Sequence, residues 1–263
     1  MSAEIEHIVN MIDSTSSLAR LKRRIDALGP TASSGRWGLL SFGLEALDAR
    51  LDGGLAKGAV HEVLPASGTD AASAAAFALM LAARAGADGG PILWVSTDAE
   101  LRRHGTPYGP GLAELGLPPD RIMLVTAPDE LACLKVASDS IGCAGLAAAV
   151  IEVGSAKRLD LTASRRLALA AEKSGVTALI LRGSDSMIAS AAASRWQVAA
   201  APSAPLAGQA PGRTGLSLSL LRHRGGARPF DMCVEWDHDR TAFSEPALLR
   251  PVPAVAERRS MVA

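Results

Sequence analysis

Short, nearly unbroken apolar runs alternate along the chain with longer segments whose apolar positions recur every three or four residues. The runs at 59–64, 91–96, 121–126, 146–153 and 176–182 have the length and character of buried strands. The segments 70–86, 129–142 and 160–174 have the periodicity of helices. Alternation at this spacing predicts an α/β fold, a mostly parallel sheet with crossover helices on its faces. Beyond residue 190 the character changes. Segments 194–200, 214–222 and 230–236 follow one another without a helix between them and predict C-terminal antiparallel strands that extend the sheet. The Pro-, Gly- and Ala-rich stretch 201–213 reads as a loop.

Ahead of this core, 14–30 reads as an amphipathic helix capped by Ser16 or Ser17 and stopped by Gly29-Pro30. Leu18, Leu21, Ile25 and Leu28 form its apolar stripe, opposite Arg20, Lys22, Arg23 and Arg24. A linker at 31–36 separates it from the body, so the stripe either folds back on the core or docks on another protein. Residues 40–58 read as a short helix followed by a glycine turn. The tail contains Pro246, Pro251 and Pro253 among arginines and reads as disordered. The expected organisation is therefore helix and linker over 1–36, core over 37–244 and tail over 245–263.

Composition narrows the functional classes. The 263 residues carry no formal net charge, which argues against a protein that coats nucleic acid by bulk charge. Aromatics are only 3%, so the core is expected to be built mostly from Ala, Leu, Val and Ile. Cys133, Cys143 and Cys233 show neither metal-ligand spacing nor an even disulfide set, which fits a reducing cytoplasm. Glu4 and Glu6 stand where a signal peptide would carry basic residues, and the longest apolar run ends at Arg84, short of a membrane span. His61, His104 and His238 have no companions at metal-ligand spacing, so no metal site is expected. Hydrolase chemistry lacks its G-x-S-x-G elbow.

Several motifs carry a resemblance. Ser41-Phe42-Gly43 through Leu47-Asp48, the Gly53-to-Gly58 turn and Glu62-Val63 resemble the entry to a RecA-like core. Asp98-Ala99-Glu100 follows a strand as in recombinases of that type. Leu220 to Phe230, with Arg222, Arg224 and Arg228, resembles the late RecA hairpin that bears paired basic residues. Together with Arg195-Trp196 and Val234-Glu235-Trp236-Asp237, this order is similar to the ImuA family, the RecA-like member of a bacterial damage-inducible mutagenesis cassette. The resemblance spans roughly 15–240. It implies an accessory role in translesion synthesis beside an inactive Y-family-like partner, ImuB, and an error-prone polymerase.

The resemblance also places a phosphate-binding loop at 61–73. A working loop needs a Lys for the phosphates and a Ser or Thr for Mg²⁺. Those positions hold Ala71 and Ala72, after Thr69 and Asp70. A charge-assisted contact of roughly 1.5–3 kcal/mol is missing. Asp70 puts a carboxylate at the helix start, where it suits the helix dipole and repels an anion. ATP binding is not expected, and no catalytic residue is assigned. Glu100 stands at the water-activating position, Tyr108 near an adenine-stacking position and Glu152 where a Walker-B Asp would end its strand. These three are expected as retained surface polarity, because phosphoryl transfer depends on gripped, neutralised phosphates.

The basic hairpin is expected to meet a partner, and Leu18, Leu21, Ile25 and Leu28 are the other candidate partner residues. The loops after Glu152 and after Arg182 lack aromatic and basic interleaving, so direct DNA binding is expected to be weak or absent. The resulting expectation is a non-catalytic adaptor for ImuB-type, polymerase or RecA partners, with self-association left open. The alternatives are a divergent ATPase with a rebuilt phosphate site and a SulA-like inhibitor of cell division.

Overall fold

The computed structural model describes residues 36–247 except 88, 155–157, 184–187, 207–209 and 211. The expected 14–30 helix with Leu18, Leu21, Ile25 and Leu28 lies outside the described residues, as do most of the linker and the tail beyond 247.

The chain enters through strand β1 (Leu39–Leu40), helix α1 (Glu45–Arg50) and strand β2 (Leu55–Ala56), with β1 and β2 paired antiparallel. A carboxylate closes this entry. Asp48 accepts hydrogen bonds from Ser41 Oγ at 2.6 Å, Phe42 N at 2.7 Å and Gly43 N at 3.2 Å. Gly43 sits at φ +77°, and a Cβ there would come within 2.7 Å of the Ala242 Cβ. The first resemblance motif is thus a turn that only glycine accommodates.

The core elements follow in chain order: β3 (Val60–Pro65), α2 (Ala71–Ala85), β4 (Ile92–Thr97), α3 (Asp98–His104), α4 (Gly109–Glu114) and β5 (Ile122–Ala127). Then come α5 (Glu130–Ile141), β6 (Ala148–Val153), α6 (Leu161–Ser174), β7 (Thr177–Arg182) and β8 (Ser194–Ala201). The chain closes with β9 (Gly215–His223), β10 (Phe230–Asp237) and β11 (Ala242–Ser244). Every expected strand and helix of the core is present within about two residues of its expected ends. Helices α3 and α4 and strands β1, β2 and β11 are additional.

Nine strands form one sheet in the order β11-β10-β9-β8-β3-β7-β6-β4-β5. Pairs from β8 through β5 are parallel, and β8-β9-β10-β11 are antiparallel. Both faces of the parallel part are covered, which is why β3, β4, β6 and β7 are buried throughout and read as continuous apolar runs. Side chains alternate between two cores: Ala148 and Val150 join α2, whereas Ala149 and Ile151 join α5 and α6.

The few aromatics are gathered rather than scattered. All four Phe and two of the four Trp form one knot. Phe42 lies 5.7 Å from Trp196, Phe77 5.9 Å from Trp196 and Phe243 4.9 Å from Trp236 between ring centroids. The core is otherwise mostly Ala, Leu, Val and Ile, as expected, with this one dense aromatic cluster set among them against α2. Among the described residues no helix is long and apolar enough to cross a membrane.

Candidate functional site

The β3–α2 junction is a single 3₁₀ turn, Gly68–Asp70, leading into the helix. Asp70 is the N-cap residue of α2, yet its carboxylate is turned to other donors. Ser67 Oγ donates to Oδ2 at 2.5 Å and Ala200 N donates to Oδ1 at 3.0 Å. The Ser67 hydroxyl first, then the Ala200 amide, hold this carboxyl below the ordinary aspartate range. Asp70 therefore staples the junction to β8, a contact that its place in the sequence did not reveal. Thr69, Ala71 and Ala72 line a cavity of about 1220 Å³, with Trp94, Tyr108 and Arg213 on its walls. Tyr108 is 73% exposed there.

Beside the junction three titratable side chains converge. Thr97 Oγ1 accepts from Glu100 N and caps α3. Helical spacing then puts Glu100 and His104 on one face, pointing to Glu152 near the end of β6. His104 Nδ1 lies 3.0 Å from Glu152 Oε1 and 3.6 Å from Glu100 Oε2. The remaining oxygens are held from outside. Arg103 Nη1 donates to Glu100 Oε1 at 2.7 Å, and Ser96 Oγ donates to Glu152 Oε2 at 2.7 Å. Gly154 provides the room: a Cβ there would stand 2.2 Å from Glu100 Oε1.

Two expectations are corrected here. Glu100 and Glu152 are not surface polarity, being 6% and 8% exposed. His104 does have companions, because β4 and β6 are neighbours in the sheet and deliver a glutamate 48 residues away.

The basic hairpin is only partly available. Arg222 donates to Ala192 O at 2.9 Å and to Ser190 O at 3.2 Å, so this half-buried guanidinium braces the chain before β8 rather than standing at a tip. Burial, then the Arg195 charge, lower its pKa. Arg224 reaches the same Ser190 carbonyl at 3.4 Å, consistent with the shared strand face expected for the two. Arg224 and Arg228 remain exposed.

The largest feature that the sequence did not disclose is a buried ion cluster. Glu62, fully buried in β3, accepts from Arg182 Nη1 at 2.6 Å and from Arg195 Nε at 2.7 Å. Arg195 also donates to Ile188 O at 2.6 Å. The signal was a charged residue inside each of three apolar runs. The adjoining His61 is buried as well, between Ser194 Oγ at 2.7 Å and Ala56 O at 2.9 Å. Burial, its main perturbation, lowers its pKa to about 4.

A parallel sheet with antiparallel strands appended beyond β8, and a strand–turn–helix junction at 60–85, defines a RecA-like α/β protein. The solved structure of the RadB recombinase is similar to it with a TM-score of 0.55 and 17% identity, over 80% of this chain and 100% of that one. No family model matches the chain. Protein ImuA of Caulobacter vibrioides, from strains NA1000 / CB15N and ATCC 19089 / CIP 103742 / CB 15, is 37% identical over 207 residues, covering 72% of this chain and 80% of that protein. The chain belongs to the ImuA family.

Proposed function

We propose that this chain is a non-catalytic accessory protein of error-prone translesion synthesis in the SOS response. It serves in the cytoplasm as an adaptor between an ImuB-type partner and an error-prone polymerase. Family membership supports the setting. The observation that carries the non-catalytic part is Asp70, whose carboxylate is tied into the junction by Ser67 and Ala200. Ala71 and Ala72 follow it without ammonium or hydroxyl, so the residues present do not fit a Mg²⁺-bound triphosphate. The two glutamates nearby have no gripped phosphate to act upon.

Docking is supported by the far edge of the sheet. Among the described residues β5 has a strand neighbour on one side only. Met123 and Leu124 on it, and Leu131 on α5, are 45%, 38% and 63% exposed. An apolar edge of this kind suits a docked segment of a partner or of another copy.

Isothermal titration with ATP and Mg²⁺ is expected to give no binding tighter than about 10 μM. Tighter binding would favour the ATPase reading. Co-purification is expected to capture the ImuB-type protein, with at least about tenfold weaker capture when Leu21→Asp and Ile25→Asp are combined in the full chain. Undiminished capture would remove the helix from the interface, and capture of the tubulin-like division protein alone would favour an inhibitor.

A further inference from the structure

Glu100, His104 and Glu152 are the one group of potential metal ligands that comes together among the described residues, and their donor atoms lie within 4.8 Å of one another. We propose that they form a binding site for a single first-row divalent cation of the Zn²⁺ or Mn²⁺ type, taken directly by the protein without a nucleotide.

The division of labour among the oxygens carries the argument. Each carboxylate has one oxygen held by a neighbouring donor, Arg103 for Glu100 and Ser96 for Glu152. Each has its other oxygen turned to the imidazole, Oε2 of Glu100 and Oε1 of Glu152. This is how outer partners orient ligands around a metal. The ligands come from α3 and β6, two elements fixed by the β4–β6 pairing, so the group is held by the sheet and not by a loose loop.

Charge and space favour a cation. The two carboxylate side chains are only 7% and 11% exposed. The arginine that contacts Glu100 is 63% exposed and so screened, which leaves negative charge poorly compensated at the centre. A cavity of about 230 Å³ adjoins the three side chains, lined also by Gly68, Gly154, Arg103 and Arg182, the last of them paired with Glu62, and it leaves space for water to complete the coordination.

The donor set also selects the ion. One imidazole nitrogen with two carboxylate oxygens suits Zn²⁺ and Mn²⁺. Mg²⁺ prefers oxygen and keeps its waters, so it is not the expected occupant. Binding requires His104 Nδ1 to give up its hydrogen bond to Glu152 and offer a lone pair, while Nε2 carries the proton.

The test uses the full chain and the metal alone. Titration calorimetry with Zn²⁺, and electron paramagnetic resonance with Mn²⁺, which disfavours thiols, are expected to show one saturable equivalent. His104→Ala, at a partly exposed position, and the near-isosteric Glu152→Gln are each expected to weaken it by about tenfold or more. Cys143→Ser is expected to leave it unchanged. Absence of a saturable equivalent for both ions would overturn the proposal. So would binding that survives His104→Ala with undiminished affinity, and that variant decides alone if Glu152→Gln does not fold.

Discussion

Glu62→Ala is expected to destabilise the protein by about 3–5 kcal/mol, seen as a lower urea midpoint at unchanged slope. The carboxylate bridges Arg182 and Arg195, whose side chains are 1% and 8% exposed. Removing it leaves two guanidiniums buried side by side, with Arg222 close enough to add repulsion. The loss comes mainly from those stranded charges, not from the value of the pair itself. Replacing all three members together, as Glu62→Leu, Arg182→Met and Arg195→Leu, is therefore expected to cost less than the single substitution. A single variant within about 1 kcal/mol of the parent would show that water reaches the cluster and screens it.

The second large effect is a loss of stability in mild acid. His61 is fully buried and neutral. Trp196 Nε1 donates to Ser194 Oγ at 2.9 Å, the Ser194 hydroxyl donates to His61 Nδ1, and Nε2 donates to Ala56 O. Every polar atom of the ring is used, and a second ring proton would force the Ser194 hydroxyl to turn away and give up its donation. The unfolded chain protonates this histidine near 6.5, whereas the folded one resists to about 4. Between those values the unfolded state holds the extra proton, so stability is complete above pH 6.5 and falls as the pH drops toward 4. The total from this residue is about 3 kcal/mol. The half-buried His223, whose pKa burial also lowers, adds a contribution of the same sign. Urea midpoints at pH 7.5, 6 and 5 measure the slope. His61→Gln, which keeps a donor and an acceptor but does not titrate, is expected to flatten it. An equally steep slope in that variant would assign the acid sensitivity to other groups.

Legibility in the sequence followed the range of the interaction. β3, β6 and β7 showed as apolar runs because both faces of each strand are covered, and α6 showed its start because Asp160 caps it through Ala163 N. Helices α3 and α4 did not show. They have seven and six residues, under two turns each, and Gly105, Pro107 and Pro110 interrupt any period between and within them. At the site, the four-residue spacing of Glu100 and His104 puts them on one face only once α3 is known to be a helix. The third member was not readable, since nothing local to 100–104 refers to residue 152.

Although 194–200 reads with the antiparallel strands and β8 in fact pairs parallel with β3, much local order was decided by the sequence alone: the longer strands and helices of the core, and the place of Asp70, Ala71 and Ala72 at the head of α2. These depend on periodicity and capping within a few residues of one another. Partnership was decided only by the tertiary structure. The sheet places β3 between β8 and β7, so Glu62 meets residues 120 and 133 positions away. Likewise, β4 beside β6 turns a lone histidine into the centre of a carboxylate pair. Chain order does not encode strand order, and a buried polar group is satisfied by whichever strand the packing of the sheet sets next to it.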